Sequence, residues 1–316
     1  MAIFQSRITQ LVITFIITLA IALWLFRDNI VAIYSVQKDN KQINIIKDKC
    51  ISSYVEKIDD FSIKSYSDEH LLLHYIEAET YCNFKSSPVL LLNLKVTQYD
   101  EQGQESYILK SNQANILNSG EILFSGEVNI LSKGLYHEIK TESLVMNSKT
   151  KQISSNKDVI YSGENAIIFA QGMHINNTDD TMQLKGDIRI EQESESLINT
   201  KDLNIILVDG EKRYQTKEKS TYLSKDNTIH SEQGIDIDMK ENQTKLLGRV
   251  EIVQKSGDKI FSHDLVVDQS HGGEIFKSNK PTSYQSKISN IKSQGMYYDV
   301  VSQRIELIGE VVGLYE

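Results

Sequence analysis

Four stretches of this chain repeat one design: ILFSGEVNI (122–130), MQLKGDIRI (182–190), TKLLGRVEI (244–252) and RIELIGEVV (304–312) each set a glycine in an alternating apolar row. The glycines, Gly126, Gly186, Gly248 and Gly309, are 60, 62 and 61 residues apart. Further markers keep the same register. Gln113, Gln171, Gln233 and Gln294 open related segments ahead of each glycine, Tyr99, Tyr161, Tyr222 and Tyr284 recur alongside, and Leu144, Leu203 and Leu265 follow the first three glycines. A fixed period of about 61 residues is the signature of stacked architectures.

Within one unit the periodicity is two. Ile122, Phe124, Gly126, Val128 and Ile130 share one face while Ser125, Glu127 and Asn129 share the other, which predicts a strand with a dry side and a wet side. The glycine falls on the dry side, where a missing side chain permits a bend, a bulge or close backbone packing, or leaves space between facing sheets. Polar turns such as Asn118-Ser119-Gly120, Asn176-Asn177 and Asp226-Asn227 separate short strands. A β-solenoid, an extended jelly roll and a row of small sandwiches all satisfy this pattern. Any of them ends in a strand with unpaired backbone groups. The last one, Arg304 to Gly313, precedes no evident cap, so Ile305, Leu307 and Val311 mark an edge that another β protein could extend.

The amino terminus departs from this pattern. Ile8 to Phe26 is uncharged, and as a helix it would span roughly 28 Å, close to the hydrocarbon thickness of a bilayer. No small-residue cleavage site follows Trp24-Leu25-Phe26, so a retained anchor over 8–27 is expected rather than a cleaved signal peptide. Arg7 and Arg27 flank the span and leave its orientation undetermined. Residues 1–7 read as a short amino-terminal tail and 28–54 as a polar stalk containing Lys38-Asp39-Asn40-Lys41 and Lys47-Asp48-Lys49. Cys50 and Cys82 would pair in an oxidising compartment, but they fit equally well as small buried side chains. A net charge of -9 disfavours nucleic acid as a partner.

A single span, a stalk, and then FSIKSYSDEHLLLHYIEAETY, LLLNLKVTQYDEQGQESYILKSNQANIL and ILFSGEVNI resemble the LptC family of lipopolysaccharide-export proteins. The segments around AQGMHIN and SQGMYYD, each followed by an L-x-G-x-V-x-I type strand, are similar to the OstA-like repeats that this family shares with the LptA bridge proteins. The resemblance implies an LptC-like β-jellyroll over 55–192 and additional LptA/OstA-like repeats over 193–316. It implies an all-β, extended β-jellyroll preceded by one transmembrane helix, in a single-pass protein of the bacterial inner membrane whose bulk lies in the periplasm and whose residues 1–7 are cytoplasmic. The implied partners are lipopolysaccharide, an inner-membrane ABC transporter of the LptB/F/G kind, and an LptA-like periplasmic bridge.

On that reading the acyl chains would lie against inward residues of the first units: Ile122, Phe124, Val128, Ile130, Leu144, Met146, Phe169, Met173, Leu184 and Ile188. Alternation identifies the dry face but leaves open whether protein or ligand fills it. The rival is a membrane-tethered structural or adhesive β-repeat protein that binds only protein partners. Enzyme motifs are missing: there is no G-x-x-x-x-G-K-[ST], H-E-x-x-H or G-x-S-x-G, so no catalytic residue, metal or cofactor is expected. His70 and His74 read as same-face residues of one strand, and His263-Asp264 and Asp268 with His271 as solvated groups.

Overall fold

The computed structural model describes Cys50 and residues 54–315, apart from 86–87, 134–136, 148, 151, 164, 177–180, 209–210 and 271. The span expected at 8–27 and most of the stalk lie outside the described residues. Among the described residues no helix is long and apolar enough to cross a membrane. Strand dominates, as the repeated period-two pattern predicts. Two compact units contain it: an amino-terminal one ending at Lys157 and a carboxy-terminal one that begins at Asp158.

The amino-terminal unit is an antiparallel meander. β1 (Tyr54–Tyr66), β2 (Leu72–Phe84), β3 (Val89–Tyr99), β4 (Glu105–Ile116), β5 (Glu121–Ser132), β6 (His137–Asn147) and β7 (Ile153–Ser155) pair in chain order. Register aligns apolar side chains across the strands. Ile58, Tyr81, Leu91, Ala114, Phe124 and Leu144 form one row, and Ile63, Ile76, Val96, Leu109, Ile130 and Ile139 another. Both rows are half-exposed at β1 and buried by β2. A disulfide joins Cys50 to Cys82, with 6.2 Å between Cα atoms, and fastens the chain ahead of β1 to β2.

In the carboxy-terminal unit long strands alternate with short ones. They are β8 (Val159–Ser162), β9 (Ala166–Ala170), β10 (Gly172–Asn176), β11 (Thr181–Gln192), β12 (Leu197–Val208), β13 (Glu211–Thr216), β14 (Ser220–Leu223), β15 (Asn227–Ser231) and β16 (Ile235–Asp238). β17 (Gln243–Gln254), β18 (Lys259–Asp268), β19 (Ile275–Ser278), β20 (Thr282–Gln285), β21 (Ser289–Ser293), β22 (Gly295–Asp299), β23 (Arg304–Ile308) and β24 (Val312–Tyr315) complete it. Each long strand serves two sheets. In β17, Gln243–Leu246 pairs with β16 while Val250–Gln254 pairs with β15. β18 likewise meets β20 through Lys259–Phe261 and β19 through Val266–Asp268. The arrangement is a two-sheet jelly roll. Residues 193–196, near the expected domain boundary, form the turn of the β11–β12 hairpin.

The crossing between sheets occurs at the repeated glycine. Gly248 has φ of +75° and lies in the register shift between Leu246 and Arg249, so one extra residue bends the strand there. Its N–H donates to Asp264 Oδ1 at 2.9 Å, and Gly186 donates to Asp202 Oδ1 at 2.9 Å. Both aspartates are themselves left-handed residues in the middle of the neighbouring long strand, so the two bends are tied together. The glycines do not leave room on the dry side. A side chain at Gly126 would meet exposed Asn112 at 3.0 Å, and one at Gly186, Gly248 or Gly309 would overlap exposed Gln171, Gln233 or Gln294. Two of the sequence markers are thus one contact, with Asn112 rather than Gln113 taking the role in the first repeat. Asp264, expected to be merely solvated, is part of the same bend.

Replacing Gly248 by alanine puts a Cβ into the left-handed region and against Gln233. Urea denaturation should show a loss of about 1–3 kcal/mol. Adding Gln233→Ala should recover the part due to overlap and leave the backbone part, whereas unchanged stability in the single variant would contradict this role for the bend.

Candidate functional site

Pairing aligns rows of mostly apolar residues across the strands of the carboxy-terminal unit. In the first sheet the ladder runs Tyr161, Ile168, Ile190, Ile198, Tyr222, Ile229, Ile252, Ile260, Tyr284, Ile291. From Tyr161 to Ile260 every member is 1% exposed or less. The second ladder runs Met182, Ile205, Tyr214, Ile237, Thr244, Val267, Phe276, Tyr298, Ile305. The two ladders face one another, since the rings of Tyr161 and Tyr214 meet edge-on at 6.4 Å. Burial pushes the Tyr214 phenol up to about 12, and burial together with the Glu274 carboxylate pushes Tyr222 higher still, so both hydroxyls keep their protons.

The final rungs are open. Tyr284, Ile291, Ile305 and Leu307 are half-buried, and Ile308, Val311, Val312, Leu314 and Tyr315 are 50–75% exposed. The terminal strand expected over Arg304 to Gly313 is divided at Gly309 into β23, which pairs with β22, and β24, which pairs with β21. Ile305 and Leu307 lie on β23 and Val311 in the bend after it.

The inward candidates fall into the interiors of two separate units. Ile122, Phe124, Val128, Leu144 and Met146 in the first, and Met173, Leu184 and Ile188 in the second, are each 2% exposed or less. Ile122 stands opposite Met146, Phe124 opposite Leu144, and Leu184 opposite Leu203. Ile130 is half-buried beside Ile139. Phe169 lies elsewhere. In β9 the inward residues are Ala166, Ile168 and Ala170, so Phe169 faces out, where the Arg189 guanidinium sits 5.9 Å from its ring centre. The run AIIFA is apolar at every position, and period-two reading cannot choose its face.

Sequence reasoning missed a set of buried hydroxyl pairs. Thr141 and Ser155 approach to 3.0 Å, Thr200 and Ser220 to 2.8 Å, and Ser262 and Thr282 to 3.0 Å. Each pair recurs once per repeat, and a hydroxyl of each also bonds a backbone carbonyl, at Lys157, Glu218 or Lys280. The signal was present as Ser and Thr at the repeat spacing, but those residues read as ordinary turn formers. Among the described residues no cluster of His, Cys, Asp and Glu could hold a metal. His70 is exposed in the turn before β2, not in the strand expected to hold it beside His74.

The family model for lipopolysaccharide-assembly, LptC-related proteins matches residues 13–193 and residues 197–316. The chain belongs to this family. Both matched segments carry the one family description, so the second is LptC-related as well as OstA-like in pattern, and they adjoin at the β11–β12 turn. No curated protein matches the chain. LptC-related proteins serve lipopolysaccharide transport.

His74 offers a probe of how dry the amino-terminal interior is. It is 1% exposed on β2, and burial lowers its pKa from 6.5 to about 4. The fold holds the neutral ring, so the unfolded chain binds the extra proton between these values. Stability from this residue is complete above pH 6.5 and is lost as pH falls toward 4, about 3 kcal/mol in all. Urea denaturation of the wild type and His74→Gln at pH 7 and pH 4 should show that much less acid sensitivity in the variant. Identical pH profiles would mean that the ring is hydrated.

Proposed function

We propose that this LptC-related chain is an inner-membrane-anchored periplasmic subunit that receives lipopolysaccharide from an ABC transporter of the LptB/F/G kind. It shelters the acyl chains between its sheets and passes the lipid to an LptA-like bridge. The observation that carries the reading is the pair of facing ladders, apolar at every rung but Thr244 from the start of the carboxy-terminal unit to its open last rungs. Exposing one twelve-carbon chain to water costs on the order of 10 kcal/mol at roughly 0.8 kcal/mol per methylene, and a greasy interior removes that barrier. The phosphates and sugars stay outside, which lets a chain of net charge -9 carry an anionic lipid without a basic pocket. No step of this role calls for an active site, and ATP is hydrolysed by the partner transporter.

Burial in the middle of both units makes carriage an exchange. Ladder side chains release one another and contact the acyl chains instead, apolar surface for apolar surface, so little hydrophobic energy is lost. In the amino-terminal unit the half-exposed residues Ile58, Phe61 and Ile63 of β1 are the natural start. At the other end, exposed Val312 and Leu314 on β24 fit a bridge protein that adds a strand there. The sealed rungs also favour a second reading, a tethered scaffold that binds proteins alone.

Small diazirine side chains in cells separate the two. Placed at Met146 and Met173 they should capture lipopolysaccharide, and placed at Leu314 they should capture a periplasmic protein, with neither captured from outward Glu127 or Lys201. Lipid captured only from the outward positions, or from none, would leave the scaffold reading standing.

A further inference from the structure

The jelly roll of the carboxy-terminal unit has two unlike margins. Along one the long strands bend at Gly186, Gly248, Asp202 and Asp264 and run continuously from sheet to sheet. Along the other the sheets end in turns, 193–196 and 255–258 for the first sheet and, for the second, 239–242 and the described residues 269–270 and 272–274. The first margin is covalent; the second is bridged by side chains.

What closes it is polar and compact. Tyr222, a rung of the first ladder at 0% exposure, donates its hydroxyl hydrogen to Glu274 Oε1 at 2.5 Å in the turn that ends the second sheet. Gln269, from the same turn and 7% exposed, donates through Nε2 to the Tyr222 hydroxyl at 2.8 Å and to Ser194 Oγ, in a turn of the first sheet, at 2.9 Å. In the next repeat the equivalent tyrosine, Tyr284, bonds Asp258 at 2.9 Å within its own sheet and does not cross. Of these two repeated tyrosines, Tyr222 bridges the free margin and Tyr284, nearer the open end, does not.

We propose that Tyr222, Gln269, Glu274 and Ser194 form a latch, and that acyl chains of lipopolysaccharide enter the carboxy-terminal unit sideways where it opens, the glycine bends acting as the hinge. This rests on the lipid-carriage reading above. The chemistry of the seam suits a gate. Hydrogen bonds broken at an opening margin are replaced by bonds to water at small net cost, whereas an apolar seam of equal area would expose hydrophobic surface each time it parted. The ladder behind the latch stays dry until tails replace the facing rungs.

Two manipulations of the full chain test this, with purified lipopolysaccharide bearing a fluorescent label as the probe. Tyr222→Phe removes the hydroxyl and keeps the ring. Amide exchange at Glu193 and Gln269 should rise about tenfold, the factor expected from losing a hydrogen bond to a carboxylate, with exchange at Gly248 unchanged and lipid uptake faster. Cysteines at Ser194 and Gln269, oxidised to a cross-seam disulfide, should slow uptake at least about tenfold, with reductant restoring it and the reductant-treated wild type as control. Wild-type uptake that neither variant alters would overturn the latch and leave carriage intact. A wild-type chain that takes up no lipopolysaccharide would overturn carriage, and the latch as an entry route with it. Unchanged exchange in Tyr222→Phe would show that the hydroxyl does not hold the margin.

Discussion

A β-strand of twelve residues cannot belong to two facing sheets unless its backbone turns sharply in the middle, and the left-handed bend at the repeated glycine is what permits this. The bend is held from both sides. Asn112 of β4, or a glutamine from between two preceding short strands, lies over the glycine, and at Gly186 and Gly248 an aspartate on the following strand accepts its N–H. Everything else in the carboxy-terminal unit follows from where these bends fall. They fix which half of each long strand enters which sheet, hence which residues become rungs, and they make one margin continuous while leaving the other to side-chain contacts.

Two ladders built this way form a surface rather than a site. No residue is special in the manner of a catalytic group, and isoleucine recurs because a branched apolar side chain packs well on a pleated sheet. Such a surface suits an LptC-related protein, whose cargo has several long tails and no single recognition point. On the proposed reading, specificity for the amphiphile comes from geometry: tails between the sheets, charged head in water, and a polar closure between them.

Much of this architecture was legible in the sequence because it repeats. The glycine and the tyrosine reported the period, and the alternation of Ile122, Phe124 and Val128 reported a strand with one dry face. What could not be read was the third dimension. A bend or bulge was among the expected uses of the glycine, but spacing cannot show that Gln233 covers it. The tyrosines stood only as a marker of the repeat, since nothing local shows that Tyr222 reaches the turn at Glu274, fifty-two positions away. Phe169 was misplaced because all its neighbours are apolar, and His70 because a polar turn begins three residues before it. The hydroxyl pairs escaped notice because serine and threonine are common in turns, and only pairing across strands shows that Thr200 and Ser220 are buried together.

The most direct test of the ladder as the acyl-chain surface is a contact measured atom to atom. In a deuterated chain with protonated isoleucine methyl groups, mixed with lipopolysaccharide, nuclear Overhauser effects should connect acyl-chain protons to Ile190, Ile229 and Ile252, all buried rungs, and should be missing at exposed Ile160, Ile167 and Ile288. Effects confined to the exposed isoleucines, with the rungs silent at saturating lipid, would contradict the account.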